Sequence, residues 1–309
     1  MVYTLGETVL DIIIGSSGET HSTAGGSMLN ASVSLSRLGL GVEFISEVGN
    51  DNAGQQIIQF LHQNAVSTNF LTQYKHEKTH LALAHLDEYA RPSYSFYRIP
   101  PLEPASHKLP DFTSNDFLLF GSFFAIEDRQ YDEVKRIRDY AKSMKACLVY
   151  DPNFRTPHLK DLSDLKPRII NHMRNADIVK GSDEDFLNIF ETKTATETWN
   201  HLKNEGVDIL IYTMGKEGAA LFTKKCQLTF AAPAVEVKST IGAGDNFNAG
   251  LLTALQYLKK SPIEISESEW KKIIPLALDC ASEVCTIHEN YIPEAFARNI
   301  LQKHLTGKT

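Results

Sequence analysis

The chain has 309 residues, 42% of them hydrophobic and 22% charged, enough to bury the core of one large domain, alone or with a small appendage. A net charge of -7 without a long basic run excludes a nucleic-acid surface, and no stretch reaches the ~20 apolar residues of a membrane span. The apolar N-terminal stretch is broken by Asp11 and lacks a positive flank, so it does not read as a signal peptide. The four cysteines are too scattered for a disulfide framework, and a reducing cytoplasm is the expected setting.

Strands are predicted at residues 9–14, 42–48, 117–120, 147–150, 178–179 and 209–212, several of them apolar on both faces. Helical patterns fall between them, at residues 29–38, 54–63, 131–144 and 165–175. Such alternation predicts right-handed βαβ units: a doubly wound α/β fold with a mostly parallel sheet and helices on both faces. Two stretches break it. Residues 80–87 and 93–98 alternate like strands with no helix between them, which predicts a small β lid that also takes in residues 15–24. A Pro-rich loop follows at 99–116, residues 234–237 read as a further strand, and the chain from Gly242 onward is mostly helical. All 309 residues are read as one domain with its lid.

Ser239-Thr240-Ile241-Gly242-Ala243-Gly244-Asp245-Asn246-Phe247 is the most informative stretch. Phe247, Leu251, Leu255 and Leu258 follow at helical spacing, so the glycines sit at a helix N-terminus. Unpaired N–H groups, the positive end of the helix dipole and glycine backbone together make a phosphate cradle. Asp245 falls in the first helical turn, where its carboxylate should stay ionised and can accept the proton of an attacking hydroxyl. For an isolated Gly-Ala-Gly-Asp, a helix-capping Asp is the plainer reading.

Near the N-terminus stands Gly25-Gly26-Ser27-Met28-Leu29-Asn30-Ala31, with Leu38-Gly39 behind it. Taken locally, it is a glycine turn, Ser27 as N-cap, and a buried helix. Asp11, in the apolar run Val9-Leu10-Asp11-Ile12-Ile13-Ile14, is costly to bury without partners.

These two glycine stretches, about 215 residues apart, resemble the paired signatures of the ribokinase-like (phosphofructokinase B) sugar kinases. Asp151-Pro152-Asn153 with Arg155, Gly49-Asn50-Asp51 with Gly54, and Thr213-Met214-Gly215 with Gly218 extend the likeness over nearly the whole chain. The resemblance implies an ATP-dependent kinase in which Gly242, Ala243 and Gly244 form the anion hole and Asp245 is the base. It places Asp11, Gly25, Gly26 and Asn30 on a sugar, with Arg98 reaching it from the lid, and Lys180, Thr213, Gly215 and Gly218 on the nucleotide. It also implies Mg²⁺ and a monovalent cation, and a homodimer through the lid.

Two positions depart from the family pattern. Ser239 replaces the usual Asp, and Ser182-Asp183-Glu184-Asp185 stands where Asn-x-x-Glu organises the metal, leaving Asp185 to reach Mg²⁺ through water. Between Met1 and Tyr74 the one Lys or Arg is Arg37, too little charge to hold a phosphosugar. The preferred substrate is therefore a free sugar, and the resemblance of Phe96-Tyr97-Arg98 to the Phe-Tyr-Arg of fructokinases puts fructose first, with ribose and 2-keto-3-deoxygluconate behind it. The rival readings are an NAD-dependent oxidoreductase, which lacks its third glycine at Phe247, and a weakly catalytic sensor. The tail Gly307-Lys308-Thr309 is no P-loop, because Gln302 stands where a glycine belongs; Cys280, Cys285 and His288 lack a fourth zinc ligand.

Overall fold

The computed structural model describes residues 1–15, 17–86, 92–98, 105–154 and 161–301. Arg155, residues 99–104 of the predicted loop, the side chain of Tyr94 and the tail with Gly307, Lys308 and Thr309 lie outside the described residues.

In chain order the strands are β1 (Val2–Leu5), β2 (Val9–Ile14), β3 (Thr20–Gly25), β4 (Val42–Gly49), β5 (Leu71–Tyr74), β6 (Leu81–Leu86) and β7 (Pro92–Tyr97). Then come β8 (Phe117–Gly121), β9 (Cys147–Asp151), β10 (Ile178–Ser182), β11 (Ile209–Thr213), β12 (Ala219–Thr223) and β13 (Gln227–Phe230). The helices are α1 (Ser27–Arg37), α2 (Asn52–Gln63), α3 (Tyr131–Ser143), α4 (Leu162–Asn175), α5 (Asp183–Phe190), α6 (Ala195–Asn204), α7 (Ala243–Leu258), α8 (Glu267–Cys285) and α9 (Glu294–Leu301).

Nine strands form the main sheet in the order β13-β12-β11-β10-β9-β8-β1-β4-β5, parallel except where β12 and β13 run antiparallel at one edge. Both faces are covered. The pleat sends Phe117 and Leu119 of β8 into one core, with Met28 and Leu29 of α1, Phe247 and Leu251 of α7 and Trp270 of α8. Leu118 and Phe120 enter the other core, with Val134 of α3, Ile169 of α4, Phe186 of α5 and Trp199 of α6. Strands buried on both faces are the reason these runs read as continuously apolar.

A separate four-stranded sheet, in the order β3-β2-β6-β7, forms the lid. Two sequence readings need correcting here. Residues 9–14 are not a strand of the main sheet: they are β2, in the lid, and four of its six residues are only half-buried. The main sheet instead begins with Val2–Leu5, paired in parallel with both β4 and β8. Residues 234–237 join no strand, and Val235 and Val237 are exposed. Their alternation has no neighbouring strand to pair with, and β-propensity alone does not hold a strand.

Gly121, Asp151, Ser182 and Thr213 are the last residues of β8, β9, β10 and β11. The N-terminus of α7 comes to this same carboxyl edge of the parallel sheet, where open α/β sheets bind ligands.

Candidate active site

Gly242 has φ 81 and stands at the N-cap of α7, and a side chain there would meet the Asn290 carbonyl oxygen at 2.7 Å, so the turn requires glycine. Asn246 pins the turn from within the helix. Its amide donates to the carbonyls of Gly242 (2.7 Å) and Asn290 (2.9 Å), and its own oxygen accepts from Ser34 of α1 at 2.5 Å. Ala243 and Gly244 open α7, and Gly244 lies against Lys180: a Cβ at Gly244 would stand 3.0 Å from Nζ.

Lys180 is 3% exposed and donates to Asp151 Oδ2 at 2.8 Å; Asn248, fully buried on α7, donates to the same oxygen at 2.7 Å. A buried Lys–Asp pair needs such extra bonds to offset its desolvation. The backbone N–H of Asn153 adds one to Asp151 Oδ1 at 3.2 Å. An ammonium thus sits directly under the glycine turn, ready to face an anion bound there.

Asp245, 8% exposed, points into the same place. Ser27 Oγ donates to its Oδ1 at 2.5 Å and Asn30 Nδ2 to its Oδ2 at 2.9 Å. Its pKa is raised by burial and further by the Asp151 charge, against the opposing pull of the Ser27 and Asn30 bonds and of Lys180. The sequence reading has the Asp245 carboxylate stay ionised in the first turn, whereas its burial favours the protonated form. Ser27 is likewise not the N-cap of α1. Gly26 holds that position, without a side-chain cap, and the Ser27 hydroxyl is committed to Asp245.

Across from this loop lies the lid. The three atoms nearest a Cβ placed on Gly25 all belong to the Asp11 carboxylate, so the bare glycine makes the space that the carboxylate fills. Asp11 is pushed up to about 6 by burial and by Glu7 nearby. Arg98 pairs with Glu7 at 2.7 Å and lies over the Phe96 and Phe123 rings, at 5.5 and 5.8 Å, bridging the lid to the turn after β8. Glu127, on that same turn, is pushed up to about 7 by burial and by Glu7, and Arg129 beside it pairs with Glu47. The mouth of this side is therefore acidic, and its arginines are ion-paired.

Thr213 closes β11 with its hydroxyl on the Gly181 carbonyl at 3.3 Å, next to the Lys180 strand. Gly215 and Gly218 lie in the short turn that links β11 to β12, where Met214 N–H bonds the Gly218 carbonyl at 2.8 Å. Asp185 is held in a capping box with Ser182 at the start of α5, and its other oxygen takes the Phe154 N–H at 2.5 Å. Oδ2 takes both the N–H and the hydroxyl of Ser182 and Oδ1 takes the Phe154 N–H, and among the described residues no group of three or more His, Cys, Asp or Glu could hold a metal.

Asp245, Gly244, Lys180, Asn30 and, across the lid, Asp11 and Gly25 are thus joined by direct contacts or short links, whereas Gly215 and Gly218 stand on their own turn. Sequence reading missed Ser27's role, Asn248, Glu7 and Glu127. Asn248 alone carried a local signal, one helical turn after Asp245.

A carboxylate set inside an anion cradle serves one chemistry well: phosphoryl transfer to an alcohol. The protein is a phosphotransferase with a hydroxyl acceptor. More particularly, it belongs to the pfkB family carbohydrate kinases, which the chain matches over residues 1–294. A probable fructokinase-3 of Arabidopsis thaliana is 27% identical over 305 residues, covering 95% of this chain and 88% of that protein. Two solved structures share the fold. The fructokinase of Vibrio cholerae O395 in its fructose-, ADP- and calcium-bound form superposes with TM-score 0.85 at 22% identity, covering 97% of this chain and 98% of that one. The aminoimidazole riboside kinase of Salmonella enterica, complexed with aminoimidazole riboside and an ATP analog, gives 0.83 at 21%, covering 97% and 99%.

Proposed function

We propose that the chain transfers the γ-phosphate of ATP to a primary hydroxyl of free fructose. The observation that carries this reading is the position of Asp245: buried in the glycine turn, and bonded from the sugar-side helix through Ser27 and Asn30. In the proposed mechanism the γ-phosphate lies over the N–H groups of Ala243, Gly244 and Asp245, with Lys180 below it to meet the charge on its oxygens. Asp11 and Asn30 hold the sugar so that one hydroxyl lies between Asp245 and the phosphorus. The hydroxyl proton passes to Asp245 as the new O–P bond forms, and the loose transition state asks for no strong base. Mg²⁺ carried by ATP would neutralise charge on its phosphates, and Asp185 would meet it through water. Thr213, Gly215 and Gly218 border the nucleotide, and the lid keeps water away from the sugar.

Charge favours a free sugar. Arg37 is turned away to Asn64 and the Ile292 carbonyl, and the sugar-side mouth carries Glu7, Asp11 and Glu127 with Arg98 and Arg129 already paired. A phosphosugar would be repelled there. Fructose is supported by the fructokinases among the relatives and by the bound fructose in one structural neighbour. Phe96 and Tyr97, 57% and 56% exposed on the outer lid strand β7, support a homodimer through the lid.

The test is ADP release with Mg-ATP across fructose, ribose, 2-keto-3-deoxygluconate, adenosine and fructose 6-phosphate. Fructose should give the highest kcat/KM. Preference for fructose 6-phosphate would overturn the charge reading, and no turnover on any of the five would overturn the kinase reading.

A further inference from the structure

We propose that Ser27 is a positioning residue for the base: its hydroxyl holds Oδ1 of Asp245 in place while Oδ2 takes the proton of the sugar hydroxyl. This rests on the reading of Asp245 as the base. Serine at the start of a helix ordinarily turns its hydroxyl back onto its own helix. Here it reaches across to α7, 218 residues away in sequence, and makes the shorter of the two bonds to the carboxylate.

The two bonds differ in what can become of them. Asn30 is 5% exposed, and its side-chain oxygen is buried without a partner among the described residues. An amide with a spare acceptor, able to turn about two side-chain bonds, can exchange Oδ2 for an incoming hydroxyl and improve its own hydrogen bonding as it does so. Ser27 has one such bond, a short arm and a single proton to give, and that proton already lies on Oδ1. When the sugar enters, Oδ2 is the oxygen released and Oδ1 stays tethered, so the carboxylate presents one fixed lone pair to the hydroxyl. As the O–H bond breaks, its proton goes to Oδ2, the sugar oxygen bonds phosphorus, and the bond from phosphorus to the leaving ADP oxygen breaks.

The electrostatic consequence has a definite sign. Burial favours the protonated carboxyl, and the Ser27 bond opposes it by stabilising the anion. Removing the hydroxyl therefore makes Asp245 harder to ionise.

The experiment compares pH profiles of kcat/KM for the sugar in wild type, Ser27→Ala and Ser27→Thr, with Asp245→Asn alongside. In Ser27→Ala the acid limb should move up by about one pH unit, the size of one lost hydrogen bond to a charged group. Its plateau kcat should fall about tenfold with the sugar KM little changed. Ser27→Thr keeps the hydroxyl and should restore the limb. If Asp245→Asn is inactive but the Ser27→Ala limb coincides with wild type, the proposal fails while the base survives; lost thermal stability with an unmoved limb overturns it equally. If Asp245→Asn retains turnover, the base reading falls and this proposal falls with it.

Discussion

Gly25→Ala is the most economical probe of the sugar side. Gly25 is the last residue of β3 and its backbone is one that alanine adopts freely, so the change does not strain the chain. The added methyl would overlap Asp11 Oδ2 and come within 3.0 Å of its Cγ. To regain ordinary separation the carboxylate must move by roughly 1 Å, well beyond what a fixed hydrogen-bond pair tolerates. A displacement of that size in a substrate-orienting group costs about 10²-fold in kcat/KM. The loss should fall on the sugar and leave the KM for ATP unchanged, because the proposed nucleotide residues Thr213, Gly215 and Gly218 lie on β11 and the turn after it, not in the lid sheet. Steady-state ADP release with each substrate varied in turn reads both, and a melting curve checks that the fold is intact. If Gly25→Ala binds sugar like wild type while Asp11→Asn does not, the carboxylate has room to spare and the packing argument is wrong.

Asp11 also links function to pH. Its folded pKa, about 6, lies above the ordinary carboxylate value, so between the two the folded state holds more protons than the unfolded one and stability falls as pH rises through that window. Asp11→Asn should accordingly melt higher than wild type at pH 8 and level with it near pH 3, while binding sugar more weakly; equal melting temperatures at pH 8 would contradict the burial. Asp185→Ala leaves the buried Phe154 N–H and the α5 cap without their acceptor, and should lower stability by about 2–3 kcal/mol in urea denaturation. A loss within error of zero would remove the capping role. Light scattering should give a dimer for wild type and a monomer for Phe96→Ser with Tyr97→Ser; a monomeric wild type, or a mass unchanged by the substitutions, would contradict the proposed lid interface.

What the sequence disclosed was local chemistry. Gly242-Ala243-Gly244-Asp245 could be read because a glycine turn that opens a helix and a first-turn carboxylate are built from consecutive residues. The central strands β8 and β11 could be read because burial on both faces writes an unbroken apolar run. By contrast, β1 is only four residues long: Val-Tyr-Thr-Leu favours a strand, but a run so short does not reveal that it lies inside a nine-stranded sheet, between β8 and β4. Val9–Ile14 misled for the opposite reason: its composition is that of a core strand, yet it stands half-buried in the lid. Hidden partnerships account for the rest. Ser27 with Asp245, Glu7 with Arg98 and Asp185 with Phe154 are contacts between distant segments that no local pattern announces, and at Ser27 the contact takes the place of the expected N-cap.

The central claim is that Asp245 accepts the proton of a sugar hydroxyl during transfer from ATP. Its most direct test is the single-turnover rate of fructose phosphorylation by Asp245→Asn beside wild type, with the fold and fructose binding of the variant verified separately. The expected result is a fall of about 10²–10⁴ in rate with fructose binding retained. A folded variant that binds fructose and phosphorylates it at close to the wild-type rate would contradict the claim.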